Sequence, residues 1–166
     1  MADTTAIEPR MQSVAALVPD AMQAMYALAK SAKRGGLPET TALLVQLRAS
    51  QINGCSVCVD MHARELKSAG ETDERIFTVA AWRDTPYFSE AERAALALTE
   101  AVTRIADRAD AVPDDVWAEA ARHYDEAGLS ALLVAIGLIN VFNRINVATR
   151  TVTGPWVQAA RERAAV

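Results

Sequence analysis

The sequence predicts an all-α protein, a single domain of about six to eight helices that spans residues 1–166. Helix start and stop signals recur along the whole chain, and the strict apolar–polar alternation of a half-buried strand is nowhere sustained. Apolar residues make up 51% of the 166 residues, which is enough for a continuous hydrophobic core. The length fits one compact domain or one subunit of an oligomer.

Proline and glycine divide the first half of the chain into three predicted helices. Proline is favoured in the first turn of a helix, and glycine commonly follows the last turn. The pattern predicts helices from Pro19 to about Arg34, from Pro38 to about Ser50, and from about Cys55 to Gly70. The Asn53-Gly54 pair is expected to separate the second helix from the third.

Four more helices are predicted in the second half. Ser89 and Glu92 have capping-box spacing, which marks a helix start. The helices are expected from Thr72 or Asp73 through Trp82, from the capping box through Ala106, from Pro113 to Gly128, and from about Ser130 to Arg150. The last helix is apolar on every side over residues 132–139, so we expect it at the domain centre or at a subunit interface.

The charge of the chain argues against two classes of partner. Its net charge is −4, whereas a nucleic-acid-binding protein needs a basic surface, and no polybasic patch is present for an anionic membrane. The longest apolar run, residues 131–142, is too short for a membrane span, and residues 1–8 lack the features of a secretion signal. We therefore expect a cytoplasmic protein, in which two cysteines are more often catalytic, redox-active or metal-binding than structural.

The candidate chemistry lies in a Cys-x-x-Cys-x-x-x-His segment at residues 55–62. The spacing of Cys55, Cys58 and His62 places all three on one face of a helix. Cys58 and His62 are then close enough for a hydrogen bond between imidazole and thiol. Cys55 is expected in the first turn, where unpaired N–H groups and the helix dipole favour a thiolate. Such a pair can also close into a disulfide with little backbone movement.

These positions suggest a separate role for each catalytic candidate. Cys58, beside an imidazole that can accept its proton, is the better nucleophile toward an electrophilic oxygen. Its attack on a peroxide leaves a sulfenic acid, with which Cys55 is placed to condense. His62 acts as the base, directly or through water. The scheme requires no metal and no organic cofactor.

Three other interpretations of the same residues remain open. Two cysteines and a histidine supply three zinc ligands, but a structural site needs a fourth, and His123 lies in a different predicted helix. Both cysteines could instead be packed as small apolar side chains, since free cysteine is among the most buried residue types. The segment could also serve an interface without chemistry.

The chain around this segment resembles a known family. The run from Leu47 to His62 carries the motif Ser-Gln-x-Asn-Gly-Cys-x-x-Cys-x-x-x-His. It resembles the alkylhydroperoxidase D-like (AhpD-like) core of the carboxymuconolactone decarboxylase superfamily. Further similar positions occur at residues 81–83, 92–96, 139–140 and 143–144, so the resemblance covers about residues 37–150.

The resemblance implies a helical fold that assembles into trimers or hexamers, and a peroxidase that needs no cofactor. In such proteins the second cysteine becomes the sulfenic acid, and the first is the proton donor and disulfide partner. The corresponding residues here are Cys58 and Cys55, with His62 in the proton relay. The expected partners are a small hydroperoxide and a protein or small-molecule thiol that reduces the disulfide.

One position departs from the family pattern. The relay usually includes a glutamate twelve residues before the first cysteine, and that position holds Leu43 here. Glu39, one turn earlier, and Glu65, three residues after His62, are the candidate replacements. Two alternatives therefore stand beside the peroxidase: a weakly active or non-catalytic oligomeric member, and a carboxymuconolactone decarboxylase-type enzyme. The decarboxylase is the less expected one, because that branch of the superfamily lacks the cysteine pair.

Overall fold

The computed structural model describes residues 8–107 and 109–154, and within them it forms eight α-helices, two 3-10 turns and no β-strand. The predicted all-α class is therefore confirmed, whereas residues 1–7, 108 and 155–166 of the expected domain lie outside the described part. The helices are α1 (Val14–Leu17), α2 (Pro19–Ala32), α3 (Glu39–Asn53), α4 (Ser56–Ser68), α5 (Asp73–Thr78), α6 (Glu90–Thr103), α7 (Asp114–His123) and α8 (Glu126–Thr149). The 3-10 turns are Lys33–Gly35 and Val79–Asp84.

Helix α3 lies at the centre and packs against α4, α6 and α8. Its two sides are covered by two apolar clusters. One joins α3 to α4, α5 and α6 through Leu44, Leu47, Leu66, Ile76, Val79, Trp82, Phe88 and Leu96. The other joins α3 to α6, α7 and α8 through Val45, Ala95, Leu98, Ala120, Leu129, Leu132, Ala135 and Ile136. The middle of α3, the helix that leads into the cysteine segment, is therefore held from both sides.

Helix α8 is mostly buried, as its uniformly apolar sequence predicts. Leu132, Ala135, Ile136, Leu138 and Ile139 are all buried, and α2, α3, α6 and α7 all contact the helix. With 24 residues it is longer than the apolar run that the sequence shows, and by length and composition alone it could cross a membrane. However, 56% of its most apolar window is buried inside the protein, as expected for a core helix.

Three predicted helix boundaries are wrong, each for a local reason. The helix expected through Trp82 stops at Thr78, whose backbone (φ −97°, ψ 2°) leaves helical geometry, and the chain continues as a 3-10 turn that is itself kinked at Ala81 (φ −119°, ψ 31°). The capped helix α6 ends at Thr103 instead of Ala106. Its start is as predicted, since the Ser89–Glu92 capping box is formed in both directions.

The third wrong boundary lies between α7 and α8. The sequence predicts that Gly128 ends α7, but α7 ends at His123, where Tyr124 adopts an extended conformation (φ −127°, ψ 131°). Asp125 then caps α8 by accepting a 2.8 Å hydrogen bond from the Gly128 N–H. Gly128 and the expected first residue, Ser130, therefore both lie inside α8, where an aspartate cap outweighs a glycine stop signal.

A buried carboxylate ties α6 to α3 and to the second 3-10 turn. Glu100 is 9% exposed and accepts hydrogen bonds from Arg48 Nε (2.7 Å), Trp82 Nε1 (3.0 Å) and Arg83 Nη1 (2.7 Å). Burial by itself raises the pKa of Glu100, but the hydrogen bonds from Arg83, Trp82 and Arg48 outweigh it and lower the pKa below the ordinary value. Glu100 is thus an ionised structural group at neutral pH.

Candidate functional site

The turn between α3 and α4 delivers the first cysteine to the end of the core. Gly54 follows α3 in the left-handed conformation (φ 67°), which glycine adopts without the steric cost of a side chain. The Cys55 N–H then donates to the Ser50 carbonyl over 3.0 Å. This αL turn ends α3 and starts α4 within two residues.

The two cysteines lie at disulfide distance, with their Cα atoms 5.4 Å apart, a separation typical of disulfides. Both are buried, at 2% exposure for Cys55 and 1% for Cys58. Cys55 is the N-cap of α4, one residue before the expected first turn, and its Sγ accepts a 3.4 Å hydrogen bond from the Cys58 N–H. The helix terminus therefore supplies one donor to the sulfur of Cys55, in line with the predicted influence of that terminus.

The sulfur of Cys58 receives its donor from a residue that sequence analysis missed. Asn146 of α8 points its Nδ2 at Cys58 Sγ over 3.4 Å, across a separation of 88 residues. A signal exists in the sequence, since Asn140, Asn143 and Asn146 recur every three residues and so share one face of α8. Only the first two belong to the positions that carry the family resemblance.

His62 is buried in α4 with 5% exposure, but it makes no hydrogen bond to either cysteine in the described part of the chain. The expected imidazole–thiol hydrogen bond is therefore absent when the sulfurs are paired. Its Nδ1 lies 2.7 Å from Oε2 of Glu65, and its Nε2 is buried without a partner among the described residues. Because a carboxylate at Nδ1 favours a proton there, Nε2 is left as a buried acceptor.

The structure distinguishes between the two candidate replacements for the relay glutamate. Leu43 packs against the apolar cluster beneath α4 and contributes no polar group. Glu39 pairs with Lys33 at 3.2 Å, and its side chain is 71% exposed, so it is turned toward solvent. Glu65 alone of the two contacts His62.

An amide network fixes the end of α3 against α8 beside the sulfurs. Asn53 Nδ2 donates to Oδ1 of Asn140 (3.0 Å) and of Asn143 (2.9 Å), and Asn143 Nδ2 donates to Ser50 Oγ (3.0 Å). Asn140 and Asn143 are both buried. A largely buried network of this kind specifies one relative position of its two helices.

An open cleft of about 220 Å³ adjoins the cysteine pair. It is lined by the α3–α4 turn, residues 54–57, and by the end of α8, with Asn146, Val147, Arg150 and Thr151. Cys55 lines this cleft and Cys58 does not. Within residues 8–107 and 109–154, no three His, Cys, Asp or Glu side chains are grouped as ligands for one metal ion.

The fold and the site together define an all-helical protein with a buried cysteine pair at disulfide distance, whose sulfurs each receive one N–H donor. The chain belongs to the carboxymuconolactone decarboxylase family, whose sequence model matches residues 19–101. The family resemblance is thereby confirmed. The match ends before α8, which supplies Asn146 and, together with the two lining residues just beyond its end, half of the residues that line the cleft.

Two relatives with similar sequences are themselves uncharacterized. The chain is 37% identical over 132 residues to the uncharacterized protein YdfG of Bacillus subtilis (strain 168), covering 80% of this chain and 88% of that protein. It is 33% identical over 114 residues to the uncharacterized protein YnjA of Escherichia coli (strain K12), covering 69% of this chain and 61% of that protein. The similarity to these relatives supports the family membership but indicates no particular reaction.

Solved structures show the same fold. A protein of unknown function from Agrobacterium tumefaciens, for which a role as the antioxidant defence protein AhpD has been suggested, matches with a TM-score of 0.82 and 37% identity. That match covers 89% of this chain and 99% of the other. The debrominase Bmp8, in complex with 2,3,4-tribromopyrrole, matches with a TM-score of 0.75 and 19% identity, over 89% of this chain and 78% of the other. At that identity the likeness concerns the fold alone.

Proposed function

We propose that the protein is a thiol peroxidase that reduces small hydroperoxides through Cys58 and Cys55. The observation that carries this proposal is the buried cysteine pair at disulfide distance, because it allows a sulfenic acid on one sulfur to be captured by the other without backbone movement. The family membership and the similarity to the A. tumefaciens protein support the same reaction class.

The reaction transfers two electrons from the dithiol to the peroxide. The Cys58 thiolate attacks one peroxide oxygen, the O–O bond breaks, and the alkoxide leaves as an alcohol after taking a proton. The Cys55 thiolate then attacks Cys58 Sγ, the S–O bond breaks, and hydroxide leaves as water. The Asn146 amide beside Cys58 Sγ favours the thiolate form of that sulfur.

In this scheme Glu65 takes the place of the family's relay glutamate as a positioning residue. Its carboxylate holds Nδ1 of His62 and leaves Nε2 free to accept a proton from a thiol or through a water. In this scheme Leu43 does not prevent the proton relay, because the carboxylate belongs to Glu65 of α4, the helix that carries His62, and not to a residue of α3. A non-catalytic member has no need for this buried and carboxylate-bound imidazole.

The test is a count of free thiols and an intact mass on reduced protein, before and after one equivalent of cumene hydroperoxide. We expect both thiols to be lost with a mass decrease of about two hydrogens. Cys58→Ser should be inactive, whereas Cys55→Ser should reach the sulfenic acid and be trapped there by dimedone. Ser56→Ala, a neighbouring substitution that leaves both sulfurs intact, is the matched control.

Two results would reject the peroxidase. Wild-type thiols that survive the peroxide would favour the non-catalytic alternative. Normal turnover of hydroperoxide by Cys58→Ser would show that the reaction does not depend on Cys58. Consumption of a lactone substrate by a variant with both cysteines changed to alanine would then favour the decarboxylase alternative.

We also propose that the protein works in the cytoplasm as a homo-oligomer, a trimer or a hexamer. Large apolar side chains remain exposed on two helices that contact each other: Tyr26 and Leu28 on α2, and Val141 on α8. Light scattering coupled to size exclusion tests the assembly, and a monomer would contradict it.

A further inference from the structure

Among the described residues, an open cleft reaches the cysteine pair at Cys55. Cys55 forms part of the wall of the 220 Å³ cleft, together with the α3–α4 turn and the end of α8. Cys58 lies behind it, packed with Ala49 and Ile139 and capped by the amide of Asn146. A reagent that approaches the closed pair through this cleft therefore meets the sulfur of Cys55 first.

The cleft carries one charge. Of the eight residues that line it, Arg150 is the only ionisable side chain apart from the paired cysteine. Arg150 lines the cleft and is paired with no carboxylate of residues 8–107 and 109–154. The site is thus locally cationic in a chain whose net charge is −4.

Arg150 also has an unusual backbone conformation. Arg150 caps α8 in the left-handed conformation with φ 53°, and it is the only non-glycine residue with positive φ in the described ranges. Glycine or asparagine occupies such a position at lower cost. A long cationic side chain at a left-handed backbone position on the wall of a cleft points to a role for that side chain.

From these observations we propose that the reducing thiol enters the cleft and attacks Sγ of Cys55, and that Arg150 favours thiols that carry an anionic group. The inference rests on the proposed function, since only a redox-active pair needs a reductant, and it extends that function by naming the attacked sulfur and the class of reductant.

The proposed step is thiol–disulfide exchange. The thiolate of the reductant bonds to Sγ of Cys55, the Cys55–Cys58 bond breaks, and the electron pair leaves on Sγ of Cys58. The Asn146 amide is already placed to stabilise that leaving thiolate. A second thiolate then attacks the reductant's sulfur, which releases Cys55 as a thiolate and the reductant as a disulfide.

The first experiment locates the mixed disulfide. The reduced wild-type protein is closed with diamide, mixed with 3-mercaptopropionate, quenched at early times with N-ethylmaleimide, and digested. Fragment ions between residues 55 and 58 should place the mercaptopropionate on Cys55 and the maleimide on Cys58. Mercaptopropionate on Cys58, or equally on both sulfurs, would overturn the proposed direction of attack. Since diamide closes the pair, the result is readable even if hydroperoxide is not a substrate.

The second experiment tests the selection by Arg150. Reduction rates with 3-mercaptopropionate (anionic) and 2-mercaptoethanol (neutral) are compared in wild type, Arg150→Asn and Arg150→Lys at low salt. Asparagine tolerates positive φ, so Arg150→Asn should keep the fold.

We expect Arg150→Asn to lower the anionic-to-neutral rate ratio about threefold, Arg150→Lys to retain most of it, and the difference to vanish in about 1 M salt. Arg34→Asn is the matched control, because Arg34 precedes Gly35, which abuts Ala127 and Ala131 at the opposite end of α8. An equal slowing of both thiols, or an equal effect of Arg34→Asn, would overturn the role of Arg150.

Discussion

Nδ1 of His62 lies 2.7 Å from Oε2 of Glu65, within a single helix and three residues apart. One partner is buried at 6% side-chain exposure, and the other reaches solvent at 46%. The pair thus connects a buried imidazole to the surface of the protein. A carboxylate that accepts from Nδ1 fixes the ring orientation, and Nε2, which has no partner among the described residues, becomes the atom that can receive a proton.

The first prediction concerns this pair. Glu65→Gln should lower the rate of hydroperoxide reduction by about tenfold to a hundredfold, because an amide can no longer stabilise the protonated imidazole. Glu65→Asp should recover part of the rate. Stopped-flow measurement of thiol loss against pH is the assay, and an unchanged thermal midpoint for Glu65→Gln separates the effect from unfolding.

Glu39→Gln is the matched control for Glu65→Gln. Glu39 pairs with Lys33 at the surface and does not contact His62 in the structure, so this variant should keep the wild-type rate and pH profile. A larger loss in Glu39→Gln than in Glu65→Gln would show that the relay runs through Glu39 instead.

The second prediction concerns the donor to Cys58. Asn146→Ala, made in a Cys55→Ser background, removes the amide that contacts Cys58 Sγ. Alkylation of Cys58 by iodoacetamide at neutral pH should slow about threefold to tenfold, and the pH of half-maximal alkylation should move upward. Equal alkylation curves for the Cys55→Ser protein with and without Asn146→Ala would show that the contact has no influence on the thiolate.

The third prediction concerns stability in acid. Glu100→Gln should lower the free energy of unfolding by about 2 to 3 kcal/mol at neutral pH, because it leaves the largely buried guanidinium of Arg48 without its carboxylate and also removes the ion pair to the exposed Arg83. The pKa of Glu100 is lower in the folded protein than its ordinary 4.5, so its contribution is complete above 4.5 and is lost as the pH falls through the lowered pKa.

Urea titrations between neutral and acidic pH measure both effects. In the wild type part of the stability should disappear below about pH 4.5, and in Glu100→Gln that acid-dependent part should be smaller. Asp110→Asn, a change at an exposed carboxylate, is the control and should follow the wild type. An equal loss of unfolding free energy at acidic pH in Glu100→Gln and wild type would show that Glu100 is not the group responsible.

The fourth prediction compares two glycines. A Cβ on Gly35 would lie 2.6 Å from the Ala127 carbonyl oxygen and 2.6 Å from the Ala131 Cβ, so Gly35→Ala must displace the start of α8. We expect a loss of about 1 to 3 kcal/mol. Gly137 lies within α8, and a Cβ added there would have no neighbour within 4 Å, so Gly137→Ala should gain about 0.5 to 1 kcal/mol through helix propensity. Thermal or urea unfolding of both variants should give shifts of opposite sign.

Local signals in the sequence predict most of the fold. Pro19 begins α2, the Ser89–Glu92 capping box begins α6, and Gly54 separates α3 from α4, since each acts through its own backbone and nearest neighbours. The errors arise where two local signals compete. At the α7–α8 junction the Asp125 cap overrides Gly128, and after Thr78 the α-helix gives way to a 3-10 turn that the periodicity does not show.

The sequence predicts only those parts of the site that lie on a single helix. Spacing along α4 brings Cys55, Cys58 and His62 together, and it also offers Glu65 as a candidate partner. Asn146 approaches Cys58 from a helix 88 residues away, and such contacts depend on packing that a single sequence does not display. The choice between Glu39 and Glu65 likewise needs the side-chain directions.

The position of helix α8 determines how the cysteine site responds to heating. The same helix fills the second apolar cluster, bonds the end of α3 through Asn140 and Asn143, and carries Asn146 and Arg150 to the cysteines. A region that opens independently of the core needs few contacts with it, and this site has the opposite arrangement. Amide hydrogens around Cys58 should therefore exchange only through global unfolding. The reactivity of the cysteine pair should persist up to the melting temperature and should not decline at lower temperatures.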